Sequence, residues 1–328
     1  MTTLVTGATG FLGSAIAREL LKDGRNIKLL ARDNADLQNI KGLDAEIAIG
    51  DLRDRESLKS AFKGCSKLYH AAAFYSLWSK DKKLIYDINV QGTRNILETA
   101  LDLGLESVVY TSTVGCIGLS KDRTPTNEDY PMDPATLSND YKLSKFQAEK
   151  IALEMHGRGL PVVIVNPSTP IGPRDIKPTP TGKIILDVLN GKMPAYVDTG
   201  LNLVHVDDVA EGHFLALKYG KYGDRYILGG ENLDFKNFLD LISLYGNKPK
   251  IKIKINPNFL FPLAYINQFL FKFVIDKTPS LTVDGLKMSK KKMFFSSSKA
   301  KNKLRYRPRI VKNAIKESVI WFSNFNSK

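Results

Sequence analysis

This chain of 328 residues has little of several things that mark other classes of protein. Its two cysteines, Cys65 and Cys116, form neither a metal-binding nor a redox spacing. No internal repeat is present, and no apolar run reaches the length of a membrane-spanning helix. The first strand-like segment begins at once, without a signal peptide before it. These absences predict a cytoplasmic globular protein without a metal site.

Acidic residues are scarce in the last quarter of the chain. Residues 246–328 contain 19 lysines and arginines but three acids, and this segment accounts for the net charge of +14. The asymmetry suits an anionic partner such as a membrane surface, a phosphorylated substrate or nucleic acid, although a solvated basic face would produce it equally well. Aromatic stacking residues are sparse over 287–309, so we do not expect nucleic acid to be the partner.

Strand-like and helix-like segments alternate through the first 165 residues. The strand-like segments are 4–5, 26–31, 45–49, 67–70, 107–111 and 161–165, and the longest helical patterns are 85–103 and 141–156. This order predicts an α/β fold of the Rossmann type, a doubly wound parallel sheet covered by helices on both faces. We expect a first, Rossmann-type domain over residues 1–166, with strands returned from the C-terminal half. A smaller mixed α/β substrate-binding lobe would cover 167–328.

A glycine-rich segment, Thr6 to Gly13, lies between the first strand and a helical pattern. Gly7 permits a tight turn, Gly10 lets the backbone approach a pyrophosphate, and Gly13 allows close packing of the helix on the sheet. The free N–H groups at the helix start would then face the phosphates. This context predicts a dinucleotide site, whereas the same glycines in isolation would be an ordinary loop.

The end of the second strand indicates which dinucleotide is bound. Arg32 stands where enzymes selective for NAD carry an acidic residue, and an arginine there accommodates a 2′-phosphate. Arg32 therefore favours NADP over NAD, although Asp33 beside it is able to reach the ribose. A solvated surface arginine is the alternative.

A possible proton-transfer site lies near the middle of the chain. Tyr141 and Lys145 are four residues apart on a predicted helix, so they share one face. A nearby ammonium favours the phenolate and makes tyrosine a usable acid or base. Thr113, at the end of the strand 107–111, is our candidate for holding the substrate oxygen, with Ser112 beside it. The alternative is that these hydroxyls only cap backbone groups.

The chain resembles an extended short-chain dehydrogenase/reductase of the NAD-dependent epimerase/dehydratase family over essentially its whole length. The matching motifs are 6–13, 51–52, 70–73, 89–93, 111–113, Tyr141 with Lys145, 166–167 and 205–208. Within the family it is similar to the branch that holds dihydroflavonol 4-reductases and hopanoid-associated sugar epimerases. The resemblance implies a homodimer and a small-molecule substrate.

The resemblance also implies further contacts. The cofactor residues would be Gly7, Thr9, Gly10, Phe11, Leu12, Gly13, Arg32, Asp51, Leu52, Ala71, Ala72, Ala73, Thr111, Tyr141, Lys145, Pro167 and Ser168. The substrate residues would be Phe74, Tyr75, Ser112, Asn166 and Arg174. Asn89 and His205 are expected to be structural.

One departure from the family pattern concerns the substrate. Nucleotide-sugar epimerases of the family usually carry an Arg-Asp pair that clamps the nucleotide diphosphate, and here those positions are Leu201 and Asn202. An apolar residue cannot neutralise a phosphate. Arg174 is the candidate for a replacement charge.

The segment 259–275 is apolar on nearly all sides and is flanked by lysines. It predicts a buried core helix, or else a lid or a membrane-contacting helix that serves a lipid-like substrate.

We therefore expect an NADP-dependent oxidoreductase that interconverts a carbonyl and an alcohol on an apolar or isoprenoid-related substrate. The alternatives are a sugar epimerase or dehydratase that retains its cofactor, and a regulator that binds NADP without catalysis.

Overall fold

The computed structural model describes residues 2–75, 82–137, 139–273 and 283–325. Its strands, numbered in chain order, are β1 (Thr2–Thr6), β2 (Ile27–Ala31), β3 (Glu46–Ile49), β4 (Cys65–His70), β5 (Ser107–Thr111), β6 (Val162–Pro167), β7 (Thr169–Ile171), β8 (Ala195–Tyr196), β9 (Gly200–His205), β10 (Arg225–Leu228), β11 (Glu231–Asp234), β12 (Ile253–Lys254) and β13 (Lys292–Met293).

The helices show one departure from the sequence pattern. They are α1 (Phe11–Lys22), α2 (Arg55–Ala61), α3 (Lys82–Tyr86), α4 (Gly92–Asp102), α5 (Asp140–Gly157), α6 (Pro180–Leu189), α7 (Val206–Tyr219), α8 (Phe235–Tyr245), α9 (Phe261–Phe273), α10 (Val283–Ser289), α11 (Ser298–Lys303) and α12 (Val311–Phe325). The helix expected over 85–103 is interrupted by a π-helical turn, Asp87–Gln91, between α3 and α4.

The main sheet has seven parallel strands in the order β10-β6-β5-β4-β1-β2-β3. One of its faces packs on α1 and α7, and its other face packs on α4 and α5. The strand order reverses between β1 and β4, which is where open sheets of this kind bind their ligands. The α/β fold predicted from the sequence is confirmed.

A second lobe is built around β9, which pairs with β7, β11 and β13. The helices α6, α8 and α12 supply its core, with Ile185, Phe238 and Phe322 among the fully buried side chains. After β9 the chain returns to the main sheet through α7 and β10. The division of the chain at residue 166 stays a prediction, because the two sheets share this crossing segment.

Candidate functional site

The glycine-rich turn holds β1, β4 and the start of α1 in close contact. Gly7 has a φ of +71°, and a Cβ on it would lie 2.7 Å from the backbone N of Ala72. A Cβ on Gly13 would lie 2.1 Å from the carbonyl oxygen of Gly7. Only glycine fits at these two positions.

Gly10 is less crowded by the protein itself. It is the N-cap of α1, and a Cβ on it would meet only the Gly7 oxygen, at 3.2 Å. The first N–H groups of α1 have no acceptor within the helix, as at every helix start, and they suit a phosphate. A cavity of about 50 Å³ lies against Thr9, Gly10 and Phe11. The turn therefore fits the diphosphate of a dinucleotide.

A buried histidine helps to hold the backbone that packs against this turn. The Thr6 hydroxyl accepts the N–H of Ala72 at 3.2 Å and lies 2.7 Å from Nδ1 of His70. Nε2 of His70 lies 3.2 Å from the hydroxyl of Thr93. Burial lowers the pKa of His70 to about 3, with the nearby Lys145 charge adding to the effect, so the ring is neutral near pH 7. Its role is to hold the Ala71–Ala72 backbone beside Gly7.

A larger cavity opens at the carboxyl ends of β2 and β3. Its volume is about 440 Å³, and it is lined by Arg32, Asp33, Asn34, Ile49, Gly50, Asp51, Arg53, Asp54 and Ser57. The cavity is where the sequence places the adenosine half of the cofactor, and the exposed Arg32 stands at its wall. Leu52 is buried beneath it.

Arg53 is a residue of this cavity that sequence reasoning missed. Its guanidinium bonds both carboxylate oxygens of Asp51, at 3.0 and 2.7 Å. These bonds hold the pKa of Asp51 below its usual range. Two arginines, Arg32 and Arg53, therefore line this cavity. The available signal for Arg53 was its position two residues after Asp51.

The two residues expected to move the proton lie on α5. Asn139 caps this helix by accepting the N–H of Lys142 at 2.8 Å. The Lys145 ammonium is buried, and it donates to the hydroxyl of Tyr110 at 3.0 Å and to the carbonyl of Thr111 at 2.8 Å. Burial lowers the pKa of Lys145 to about 8, so it is largely charged near neutrality.

Burial raises the pKa of the Tyr141 phenol well above its usual value, and Tyr75 and Cys116 add to the effect. The protein alone therefore keeps Tyr141 protonated. The ring of Tyr75 lies edge-on to it, with centroids 4.5 Å apart. The structure thus brings Tyr75 and Tyr141 together, as a substrate position at Tyr75 requires.

The loop before Tyr75 is held against α5 by Asn89, in the π-helical turn. Its amide accepts the N–H of Phe74 at 2.7 Å and donates to the Phe74 carbonyl at 3.1 Å. It also donates to the hydroxyl of Ser144 on α5, at 3.0 Å. Asn89 is structural, and it holds the Phe74 backbone beside α5.

Three hydroxyls at the end of β5 have different surroundings. Thr113 accepts the N–H of Gly115 at 3.1 Å, in a short segment that packs on the first turn of α5. Thr111 bonds instead to the buried His213, at 2.9 Å, and Ser112 donates to the carboxylate of Glu149. The Thr113 hydroxyl thus caps a backbone group, which was the alternative for these residues, and its role at a substrate oxygen stays a prediction.

The end of β6 contributes two further residues. Asn166 is fully buried, and its amide donates to the Thr113 carbonyl at 3.0 Å and to Glu149 at 2.8 Å. The Ser168 hydroxyl, after the buried Pro167, is enclosed without a hydrogen-bond partner among the described residues. An unused buried hydroxyl at this sheet edge fits a polar group of a bound ligand, such as a nicotinamide amide.

The substrate assignments of Ser112 and Asn166 are not supported by these contacts. Both side chains are buried and bond Glu149, because the pleat turns them toward α5 and away from the open end of the sheet. We reassign them to positioning. The cofactor assignment of the Thr111 hydroxyl changes for the same reason, since its partner is His213.

Arg174 does not supply a free charge for a substrate. Its guanidinium forms an ion pair with Asp207 in the first turn of α7. Leu201 is buried in the core of the second lobe. Asn202 is buried too, and its amide bonds Asn232 and the Gly230 N–H. The positions of the usual diphosphate clamp are thus used by the second sheet itself.

The described residues contain neither a metal-ligand cluster nor a membrane-spanning helix. No group of three or more His, Cys, Asp or Glu side chains is arranged to hold a metal ion in that part of the chain. None of the helices in the described ranges is both long and apolar enough to span a membrane.

Comparison with known proteins agrees with this geometry. The profile of the NAD-dependent epimerase/dehydratase family matches residues 3–229. The chain belongs to this family. A putative dihydroflavonol 4-reductase of Synechocystis is 43% identical over 98% of this chain and 94% of its own. Sterol demethylase protein B of Methylococcus capsulatus is 33% identical over 98% of each chain. The crystal structure of gox2253 is 47% identical and superposes with a TM-score of 0.88 over 98% of each chain.

Membership of the epimerase/dehydratase family makes a nicotinamide dinucleotide the cofactor, and the turn at Gly7–Gly13, the adenosine cavity and the Ser168 hydroxyl fit it. Sequence reasoning found this outline but missed the buried carboxylate of Glu149. Its signal was the spacing of Tyr141, Lys145 and Glu149, since residues four apart share one face of a helix.

Proposed function

We propose that this protein is an NADP-dependent reductase that converts a carbonyl to an alcohol on an apolar, isoprenoid-related substrate. The observation that carries the proposal is the use of Leu201 and Asn202 by the second lobe. A nucleotide sugar would need charge at those positions. The Tyr141–Lys145 pair is retained nonetheless, so the chemistry of the family is available to a substrate without a diphosphate.

The chain's own residues suit the direction of reduction. When bound, the cofactor supplies hydride. Tyr141 keeps its proton because burial raises its pKa, and it is therefore set to donate that proton to a developing alkoxide. Thr113 accepts a backbone N–H, which leaves its own O–H to orient the substrate oxygen. Lys145 supplies a buried positive charge beside this site.

The relatives support both the proposed reduction and the proposed apolar substrate. One bears the name of a 4-reductase and the other that of a sterol-modifying protein. A sterol is a large, rigid and mostly apolar molecule built from isoprenoid units. Tyr75 offers aromatic surface beside Tyr141 for a substrate of that character, and Phe74 precedes it in the same loop.

A substrate panel tests the proposal directly. Purified protein would be given NADPH with apolar ketones, aldehydes or nucleotide sugars, and the loss of NADPH absorbance followed. We expect consumption with an apolar ketone and none with a nucleotide sugar. Conversion of a nucleotide sugar without added NADPH would overturn the proposal in favour of an epimerase that retains its cofactor. Tight NADPH binding without turnover of any member would favour the non-catalytic regulator.

The preference for NADP should depend on Arg32. We expect Arg32→Asp to weaken NADPH binding by about 10- to 100-fold, because a charge-assisted bond to the 2′-phosphate contributes about 1.5–3 kcal/mol. NADH binding should be unchanged or improved. Fluorescence titration with both cofactors measures this. Arg25→Asp, whose side chain pairs with Asp23 outside the cavity, is the matched control. Equal NADPH affinity in the Arg32 and Arg25 variants would remove Arg32 from the site.

We also propose that the protein contacts an anionic membrane surface peripherally. The side chains of Phe259, Leu263, Tyr265 and Ile266 are 80, 56, 59 and 58% exposed, and we call them the apolar surface. The opposite side of α9 packs through Ala264 on α10. A fully buried core helix is therefore wrong for 259–266, while residues 274–275 lie outside the described residues.

Charge distinguishes a membrane from a second copy of the chain as the occupant. Lys290 lies 4.6 Å from the ring of Phe261, and Lys252 and Lys287 are exposed on neighbouring segments. Two copies that met through the apolar surface would bring these lysines together. Anionic lipid would attract them while the apolar side chains enter the interface.

Vesicle flotation tests this contact. We expect wild-type protein to float with phosphatidylcholine vesicles that contain phosphatidylserine, and less with phosphatidylcholine alone. The double change Leu263→Asp and Ile266→Asp should reduce binding by roughly tenfold or more, since two apolar side chains no longer enter the interface. Leu244→Asp on α8, whose leucine is 68% exposed, is the control. Protein that floats with neither vesicle, or equal loss in the control, would contradict the proposal.

Homodimer assembly and a cytoplasmic location stay predictions from the resemblance and from the composition.

A further inference from the structure

Glu149 is a buried carboxylate directly behind the candidate proton-transfer site. It follows Tyr141 and Lys145 at four-residue intervals on α5, and it is 3% exposed. A buried carboxylate must be fully hydrogen-bonded and paired to be tolerated. Its partners therefore show what it holds in place.

The partners of Glu149 come from three different strands. One carboxylate oxygen accepts from the Ser112 hydroxyl, after β5, and from the Asn166 amide on β6, at 2.8 Å. The other accepts from the guanidinium of Arg225 on β10, at 2.9 Å. A single side chain of α5 thus ties together the carboxyl ends of β5 and β6 and the edge strand.

The residues on either side of Ser112 are also hydrogen-bonded to side chains of this site. The Thr111 carbonyl accepts from Lys145, and the Thr113 carbonyl accepts from Asn166, which itself bonds Glu149. The stretch 111–113 is therefore anchored to α5 at each residue. Its position relative to Tyr141 depends on that anchoring.

We propose that Glu149 is a positioning residue that fixes Thr113 relative to Tyr141 and places a carboxylate one helical turn from Lys145. This role rests on the proposed reductase function. It differs from that of a general structural salt bridge, because it acts on the geometry and the charge of the site together.

Other groups facing Lys145 do not supply the negative charge. The Tyr110 hydroxyl, on β5, and the Cys116 thiol both have pKa values raised by burial, the latter to about 12, so both are neutral near pH 7. His70, on β4, is neutral as well. Among the described residues near Lys145, Glu149 is the acidic side chain, and it forms an ion pair with Arg225.

The pH dependence of reduction follows from this arrangement. Burial lowers the pKa of Lys145 to about 8, and Cys116 and Glu149 oppose that effect. The lysine is charged below its pKa and loses the charge as pH rises through it. We therefore expect kcat to fall as pH rises through about 8. A change that lowers the pKa moves this fall to lower pH, and a change that raises it moves the fall to higher pH.

The charge variant Glu149→Gln should move the profile. It keeps the shape of the side chain but removes the negative charge, so the alkaline midpoint should fall by about one pH unit. Ser112→Ala removes one anchoring bond and no charge, and should lower kcat without moving the midpoint. An unshifted midpoint in Glu149→Gln, or an equal shift in Ser112→Ala, would overturn the proposal.

A second readout keeps this test separate from the reductase assignment. Lysine side-chain NMR of the protein without cofactor follows the titration of Lys145, whose signal is assigned by its loss in Lys145→Met. The Lys145 pKa should be lower in Glu149→Gln than in wild type. If wild type reduces ketones but the pKa does not move, the role of Glu149 is disproved alone. If the pKa moves but no carbonyl is reduced, the proposed function fails alone. Should Glu149→Gln not fold, Ser112→Ala decides the matter, because wild-type kcat in that variant would disprove the positioning role.

Discussion

Replacing Tyr141 by phenylalanine should lower carbonyl reduction about a thousandfold, because general acid catalysis by a positioned side chain contributes about 10²–10⁴-fold. The change removes one hydroxyl and keeps the ring that packs edge-on against Tyr75. NADPH affinity should stay within about twofold of wild type, since the glycine turn and the adenosine cavity are untouched. Stopped-flow absorbance for turnover and fluorescence titration for binding measure the two effects.

Tyr75→Phe is the matched control for this variant. It removes the other hydroxyl of the same aromatic pair, and Tyr75 is exposed at the edge of the site. We expect it to retain turnover within about an order of magnitude. Retained activity in Tyr141→Phe would end the catalytic assignment, whereas equal losses in both variants would point to ring packing as the cause.

Alanine at two glycines of the turn should separate folding from cofactor binding. In Gly13→Ala the new Cβ would lie 2.1 Å from the Gly7 carbonyl oxygen, a backbone atom that cannot move aside. We expect its free energy of unfolding to fall by about 3 kcal/mol, as in severe overpacking. Denaturant titration measures this loss.

Gly10→Ala should weaken cofactor binding and leave the stability of the fold nearly unchanged. Its Cβ meets one protein atom at 3.2 Å, so the free energy of unfolding should change by about 1 kcal/mol or less. The methyl group would occupy the space needed by the diphosphate, and NADPH affinity should fall by roughly tenfold or more. Wild-type affinity in Gly10→Ala would show that the phosphates bind elsewhere.

Local patterns were sufficient to predict six of the seven strands of the main sheet, while β10 was expected only as an unplaced strand from the C-terminal half. The strands of the first half were predicted because parallel strands buried on both faces are continuous apolar runs, and each begins and ends within a few residues of its predicted bounds. The helix expected over 85–103 was less accurate. Its apolar pattern continues through the π-helical turn, and the need to aim Asn89 at Phe74 is not visible in that pattern.

Hydroxyl and amide groups at the strand ends were harder to assign. Thr111, Ser112 and Thr113 are adjacent and chemically alike, yet their partners are His213, Glu149 and the Gly115 N–H. Each partner except the last is distant in the chain. A sequence shows which groups need a hydrogen bond but not which neighbour satisfies it.

The order of residues by itself determined the sheet, the glycine turn and the four-residue spacing of Tyr141 and Lys145, because those depend on local backbone geometry. The tertiary structure decided that Asn202 and Ser112 serve the scaffold, that Arg53 joins Arg32 at one cavity, and that Glu149 lies behind the lysine. These outcomes depend on contacts between segments far apart in the chain, and burial and charge at such contacts are set only when the chain is folded.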